Sequence, residues 1–408
     1  MRISSIDLSK KGLSQVPYEA IEPDTNWIIL SDNRITEIDD RIQNLSLLTR
    51  LALNDNRIEN IDKKIGSCIL INWIDLTRNK LKSLPREFAN LQKITGLGLS
   101  ENDFEEIPEP VYFLTNLRKF GFFSNRITRI SPNIRFLHNL VKIDLSNNKI
   151  REIPAEMMTL TNLNWLNLSN NKIRSIPPEI NNLTKLEELG LGMNEIQEIP
   201  CMNKLTQLRI FPAFKNKITK IHPSVFSLPS IEKLDFSDNQ LDQFPFEALE
   251  SKKLRYLNLR CNLISSIESS LLNHKLTSKI LMIDISENNL KYIPFKFFKI
   301  FEQYANVRLG GNPYSLGESK KPINLSLTEI CISKILKRSN SLDPWIDKMY
   351  NHRNICDFCG SGFVSEPFYL YVKSFIDPES EFVVEKSLCS NACLNKCNKN
   401  RVRSIRRQ

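Results

Sequence analysis

Val141-Lys-Ile-Asp-Leu-Ser-Asn-Asn-Lys-Ile150 is the stretch on which the fold turns. Ile143-Asp144-Leu145 alternates apolar and polar side chains, which is the pattern of a short strand with one buried face. Asn148 follows where the chain must turn away, and its amide can satisfy backbone groups that the turn would otherwise bury unpaired. Ile150 and Ile153 then return to the core, and Pro154 ends the segment. The asparagine recurs as Asn33, Asn56, Asn79, Asn102, Asn125, Asn171, Asn194, Asn216, Asn239, Asn262, Asn288 and Asn312, with most neighbours 23 residues apart. Lys11 fills the slot in a degenerate first copy, which gives about fourteen units. The spacing falls to 22 between Asn194 and Asn216 and rises to 26 between Asn262 and Asn288, an insertion around Asn273 to Ser278. Val307-Arg-Leu-Gly-Gly-Asn312-Pro313 reads as the closing copy, because Pro313 stops the pattern.

The unit resembles the core of the leucine-rich repeat, L-x-x-L-x-L-x-x-N-x-L, with Ile and Phe in place of some Leu. The expected fold is α/β, a horseshoe solenoid over residues 1–315. One unit cannot bury its apolar side, so units must stack. Strands would line the concave side, and short helical or irregular segments such as Pro154 to Leu160 the convex side. Prolines recur there as Pro17, Pro85, Pro108, Pro177, Pro200, Pro245 and Pro294.

Function in such an array belongs to residues pointing out of the strands, since inward ones are committed to packing. Trp27, Arg50, Trp73, Lys119, Lys142, Trp165 and Tyr256 share the column just before the first strand leucine. That column takes three of the chain's four tryptophans. Phe123 and Phe214 replace the usual Ser or Thr just after the strand, and Arg78, Lys215 and Arg260 lie alongside. Trp73 and Trp165 are too many units apart to stack directly. Aromatic and Arg side chains are the usual anchors of protein interfaces. The expected binding set is therefore Trp27, Trp73, Lys119, Phe123, Trp165, Phe214, Tyr256 and Arg260, facing a protein of some acidic character.

Beyond Pro313, Leu327, Ile330, Cys331, Ile335 and Leu336 follow helical spacing. Ser326 stands as N-cap and Glu329 completes a capping box. Read alone, this is a helix closing the open end of the array. Ser326-Leu327-x-x-x-Cys331-x-x-x-Ile335 also resembles the BC-box, a short helix that docks on elongin C. Repeat array, helix, Cys356-Asp-Phe-Cys359-Gly360 and Leu388-Cys389-Ser390-x-x-Cys393 come in an order similar to leucine-rich-repeat substrate receptors of cullin–RING ubiquitin ligases. The resemblance implies an adaptor that captures a substrate protein and contacts elongin C through Leu327, Cys331 and Ile335. The proline-centred cullin-selecting segment of that family is not clear; only Leu342-Asp-Pro344-Trp345-Ile346 stands in its region. The alternative is a signalling scaffold, of the kind found in small-GTPase pathways, using the concave face alone.

Five of the nine cysteines fall after residue 355. Cys356, Cys359, Cys389 and Cys393 form two close pairs, the arrangement by which tight turns present thiolates to a tetrahedral zinc. His352 and Cys397 are spare donors. Phe368-Tyr-Leu-Tyr-Val-Lys and Phe382-Val-Val read as a strand hairpin between the pairs. A module of residues 351–397 has little room for a core, and a structural zinc would staple it. Residues 316–350 would be helix and linker, and 398–408 a basic tail.

The net charge of +10 is unevenly placed: in the final stretch from Lys396 to Gln408, Lys396, Lys399, Arg401, Arg403, Arg406 and Arg407 meet no acid. A solvated terminus is expected, and nucleic acid is not. No leader and no apolar run of the ~18 residues needed for a span is visible, so a cytoplasmic or nuclear place is expected, with reduced thiols. His138, His222 and His274 stand alone in the array. Gly96-Leu-Gly98 and Gly190-Leu-Gly192 are repeat positions with no lysine in phosphate-loop register. An enzyme is not expected.

Overall fold

The computed structural model describes residues 4–268, 271–272, 278–300 and 306–315, and beyond these 354–356, 362–363, 368–375, 381–388 and 393. The chain falls into two compact units, residues 1–236 and 237–408. In the first, three-residue strands recur from Ser5–Asp7 through Trp27–Ile29, Arg50–Ala52 and Trp73–Asp75 to Lys233–Asp235. All are parallel to their neighbours and in strict register: Trp73 opposes Gly96, Gly96 opposes Lys119, Lys119 opposes Lys142, and Lys142 opposes Trp165. The middle residue of each strand faces the core. Ile28, Leu51, Ile74, Leu97, Phe120 and Ile143 are all at most 2% exposed. Larger rings fill the wider gaps, with Phe104 and Phe120 each 5.3 Å from Phe122 by ring centroid.

The asparagine series is what joins repeat to repeat. Asn79 donates from Nδ2 to the carbonyl of Leu76 in its own repeat and to that of Leu53 in the preceding one, both at 3.0 Å. Its Oδ1 accepts from the Ile58 amide of the preceding repeat at 2.9 Å. Asn102, Asn125, Asn148, Asn171 and Asn194 repeat these contacts one repeat on. The residue before each asparagine adopts a left-handed conformation, from Asp32 at φ 59° to Met193 at φ 58°. Non-glycine residues hold that conformation at a cost of about 1 kcal/mol, so the surrounding bonds must over-determine it. They do: the amides of Arg78 and Asn79 donate to the carbonyls of Ser100 and Glu101.

On the other side each repeat has room for one turn of 3₁₀-helix, such as Arg86–Asn90, Pro132–Phe136 and Ala155–Thr159. Their starts are capped in two ways. Pro85, Pro154 and Pro177 hold the N-cap extended at φ −64° to −67° without a side-chain bond. The fixed ring supplies the geometry, and the missing N–H is not needed there. Where proline is absent, the side chains of Asp39, Asp62 and Ser131 accept from the amide two residues on. The 22-residue repeat has no such turn; Glu198–Ile199 pairs in parallel with Lys220–Ile221 instead. There Phe211 and Ala213 take the inward places, and the Phe211 ring meets Phe236 edge-on at 5.6 Å.

The second unit continues the three-residue strands with Tyr256–Asn258, Met282–Asp284 and Asn306–Arg308, again parallel and in register. The hairpin read from sequence is present as antiparallel Phe368–Phe375 and Glu381–Leu388, paired along its full length. Its second strand also pairs in parallel with Ile293–Pro294, so the hairpin is stitched to the last repeats. No helix among the described residues is long and apolar enough to cross a membrane.

Removing one rung of the asparagine series should be costly. Asn102→Ala deletes donors to Leu76 and Leu99 and leaves the Leu81 amide unpaired in the core. We expect a loss of about 3 kcal/mol, read as a lower urea midpoint. The exposed Asn116→Ala should lose under about 1 kcal/mol; equal losses would contradict the ladder's role.

Candidate protein-binding surface

The first residue of each strand points away from the core, as the sequence suggested. In the first unit this column runs Trp27, Arg50, Trp73, Gly96, Lys119, Lys142, Trp165, Glu188, Ile210, Lys233. The tryptophans are half-buried rather than sunk in the core, and the three lysines are exposed. Trp27 and Trp73 do not touch each other. The Arg50 guanidinium lies between them, 4.4 Å from the Trp27 ring centroid and 5.3 Å from that of Trp73. This cation–π stack commits Trp27 to a structural contact and holds one face of Trp73 in place.

The other side of Trp73 leans over Gly96, where an added Cβ would stand 2.7 Å from the ring. Beyond it lies an open recess of about 420 Å³ across five strands. Trp73 and Trp165 bound it, Lys119 and Lys142 stand between them, and Phe123 closes the strand-end side. Gly98 and Gly121 open the floor: they take outward places where Asp75, Asp144 and Asn167 stand in neighbouring repeats. Two carboxylates line the same floor. Asp75 Oδ1 accepts from the Thr77 amide, and Asp144 Oδ1 from the amide and hydroxyl of Ser146. Trp165 is fixed by a bond from its Nε1 to Glu188 Oε2 at 3.0 Å. Neither Lys119 nor Lys142 has a carboxylate within ion-pair distance among the described residues, so both ammonium groups face solvent.

Of the eight residues expected from sequence, the recess thus gathers Trp73, Lys119, Phe123 and Trp165. Trp27 belongs to the Arg50 stack. Phe214 is spent on covering Gly192, whose added Cβ would meet the ring at 2.6 Å. Tyr256, 42% exposed, and Arg260, beside Glu287, belong to the second unit. Read as sequence, Gly96 and Gly98 are repeat positions alone, and Gly121, Asp75 and Asp144 are not among the expected site residues. Their signal was present as glycine at outward strand positions, where a side chain is the rule.

Leu327, Cys331 and Ile335 lie outside the described residues, as do Cys359, Cys389, His352 and Cys397. Cys356 and Cys393 are described, and both are buried. In the array, Cys68 is fully buried, its Sγ donating to the Ile42 carbonyl, and burial pushes its thiol up to about 11. Cys201 is partly exposed, and bonds from the Asn203 amide and the Ser224 hydroxyl lower its pKa. Thiolate is the reactive form, so alkylation of the native protein at about pH 8 should modify Cys201 early and Cys68 only on unfolding. Peptide mapping over time reads the order; early labelling of Cys68 would contradict this packing.

Comparison with known proteins agrees with the geometry. A family model described as a leucine-rich repeat region matches residues 112–293, and one described as a leucine rich repeat matches residues 46–104. No curated protein matches the chain in sequence. Among solved structures, a leucine-rich-repeat protein of Leptospira interrogans is similar at 24% identity over 77% of this chain and 91% of that one, TM-score 0.65. An internalin from Listeria monocytogenes is similar at 19% identity over 77% and 87%, TM-score 0.65. The leucine-rich-repeat ectodomain of a membrane receptor kinase of Arabidopsis thaliana, solved in complex with Casparian strip integrity factor 2, is similar at 22% identity over 71% and 42%, TM-score 0.54. The repeats of this chain form a leucine-rich-repeat solenoid.

Proposed function

We propose that this chain is a protein-binding adaptor whose strand-lined face captures a partner between Trp73 and Trp165. The observation that carries the reading is the recess itself. Two fixed indoles flank a floor opened by Gly98 and Gly121, with two lysines between them that form no ion pair among the described residues. Aromatic anchors at the centre of a patch give the largest return on burial, and glycine lets partner backbone approach closely. The outward face shows no feature that points to catalysis. The solved complex of the plant ectodomain is a precedent for ligand capture by an array of this fold.

The recess can be filled without touching the core. Gly121→Leu would project into it, since an added Cβ meets only the Ser100 hydroxyl, at 3.1 Å. We expect at least about a tenfold loss of partner capture, and a similar loss for Trp73→Ala with Trp165→Ala, at unchanged folding. Capture unaffected by both would exclude this face.

The finer reading is that the captured protein is a substrate, and that the chain is the recognition subunit of a cullin–RING ubiquitin ligase. It rests on the likeness of residues 326–335 to an elongin C docking helix. The buried Cys356 adds support for the cysteine module of that family. Asn354–Ile355, next to Cys356, pairs antiparallel with Gly362–Phe363. The close spacing of Cys356 and Cys359 in sequence suits zinc, and the buried Cys393 would add a ligand from the second pair. Four thiolates would close the site and give the metal a structural role.

Co-purification with elongins, lost in Leu327→Ala with Cys331→Asp while the repeats stay folded, would support the adaptor. Elongin retained by that variant would exclude it. Partner binding and output unchanged by deletion of residues 322–408 would favour a signalling scaffold instead. Metal analysis should find one zinc per chain, lost in Cys356→Ser.

A further inference from the structure

A second recess, of about 630 Å³, lies on the rim of the same repeats. Lys93, Arg118 and Lys185 line it together with a row of asparagines, Asn116, Asn139 and Asn162. Its lining includes no carboxylate. Each asparagine turns its Nδ2 back onto the preceding repeat, bonding the carbonyls of Gln92, Thr115 and His138 at 2.9–3.1 Å. Lys185 Nζ donates to Asn162 Oδ1 at 2.8 Å. This leaves Oδ1 of Asn116 and of Asn139 without a donor among the described residues. The groove therefore presents cations to carboxylates and amide oxygens to N–H groups.

This groove is continuous with the strand-face recess. Thr95, Arg118 and Val141 line the groove, and the next residues, Gly96, Lys119 and Lys142, line the recess. Consecutive Cα atoms are about 3.8 Å apart, so the two hollows meet at the strand starts. Lys93, Arg118, Lys119, Lys142 and Lys185 make one cationic track, and none of the five is in an ion pair among the described residues. Both hollows run across four strand steps, about 19 Å at the usual strand spacing, the length of about six extended residues.

We propose that the captured partner presents an extended acidic polypeptide segment. It sets an apolar side chain between Trp73 and Trp165 and lays its carboxylates along the track from Lys119 and Lys142 over the rim to Arg118. The inference rests on the reading of the strand face as the capture site, and adds the chemistry of what is captured. A polypeptide fits where a nucleic acid does not. Asp75 and Asp144 in the recess floor can accept N–H groups of a peptide backbone lying beside them. A phosphodiester backbone has no donors for Asn116 and Asn139.

The test uses the full chain and fluorescein-labelled probes of about twelve residues, twice the track length. One alternates Glu and Leu, a second alternates Lys and Leu, and the third is an oligothymidylate. Anisotropy at about 50 mM salt should show binding of the Glu peptide alone, weakening strongly toward about 300 mM as screening sets in. Lys93→Glu with Arg118→Glu and Lys185→Glu should weaken it at least about tenfold. All three are exposed, and unchanged thermal unfolding would show the fold intact. Native-like binding by this variant overturns the rim track; if Gly121→Leu still abolishes binding, the strand-face reading survives. Tighter binding of the oligothymidylate, of the Lys peptide, or of neither peptide overturns the acidic partner. Undiminished binding to Gly121→Leu and to the tryptophan double variant removes the underlying reading as well.

Discussion

Everything in the array depends on a buried amide bonded on both sides of a repeat boundary. Asn79, 9% exposed, ties Leu76 of its own repeat to Leu53 and Ile58 of the one before. A side chain that must reach the same two carbonyls and the same N–H in every repeat leaves little freedom in repeat length. That is why the register holds from Trp27 to Glu188 without a slip. It also explains the left-handed residue before each asparagine. Only that turn brings the amide inward, and the ladder bonds repay the strain.

With the inward and boundary positions committed, variation is confined to outward positions, and there it has been spent unevenly. Glycine in a strand is unfavourable by roughly 0.5–1 kcal/mol, so two within three residues at Gly96 and Gly98 need a reason. Packing gives part of it: Gly96 makes room for Trp73, and a Cβ at Gly98 would stand 2.6 Å from Asp75 Oδ1. At Gly121 an added Cβ meets only the Ser100 hydroxyl, at 3.1 Å. Here the lost side chain leaves open space, and the recess is where that space lies between two fixed indoles.

The asparagine series was legible because a periodic polar residue amid apolar ones has one economical explanation. The outward column was legible for the same reason: Trp27, Trp73 and Trp165 break a rule about where tryptophan belongs. What could not be read was which of them are available. Arg50 engages Trp27, and Gly192 engages Phe214, through neighbours 22 or 23 residues away. A scan for anchors finds large side chains and passes over the missing ones, so Gly98 reads as a repeat position alone and Gly121 carries no mark, although both shape the site. The capping turns show a similar limit. Proline marked most of them, whereas Asp39, Asp62 and Ser131 do the same work with a bond that only coordinates reveal.

Charge is arranged differently on the two edges of the strands. At three successive left-handed turns the charges alternate: Arg78 lies between Asp55 and Glu101, each 3.0 Å away. Such exposed pairs contribute at most about 1 kcal/mol each, but they offset the local field there. At the strand starts and the rim beyond, Lys93, Arg118, Lys119, Lys142 and Lys185 form no ion pair among the described residues. Free surface cations add little to tight contact but accelerate encounter with an opposite charge and set its orientation. Affinity must then come from desolvated rings, and selectivity from the field. Trp73 and Trp165 stand at the ends of the stretch that carries these cations, so anchors and steering charges fall on the same four strand steps.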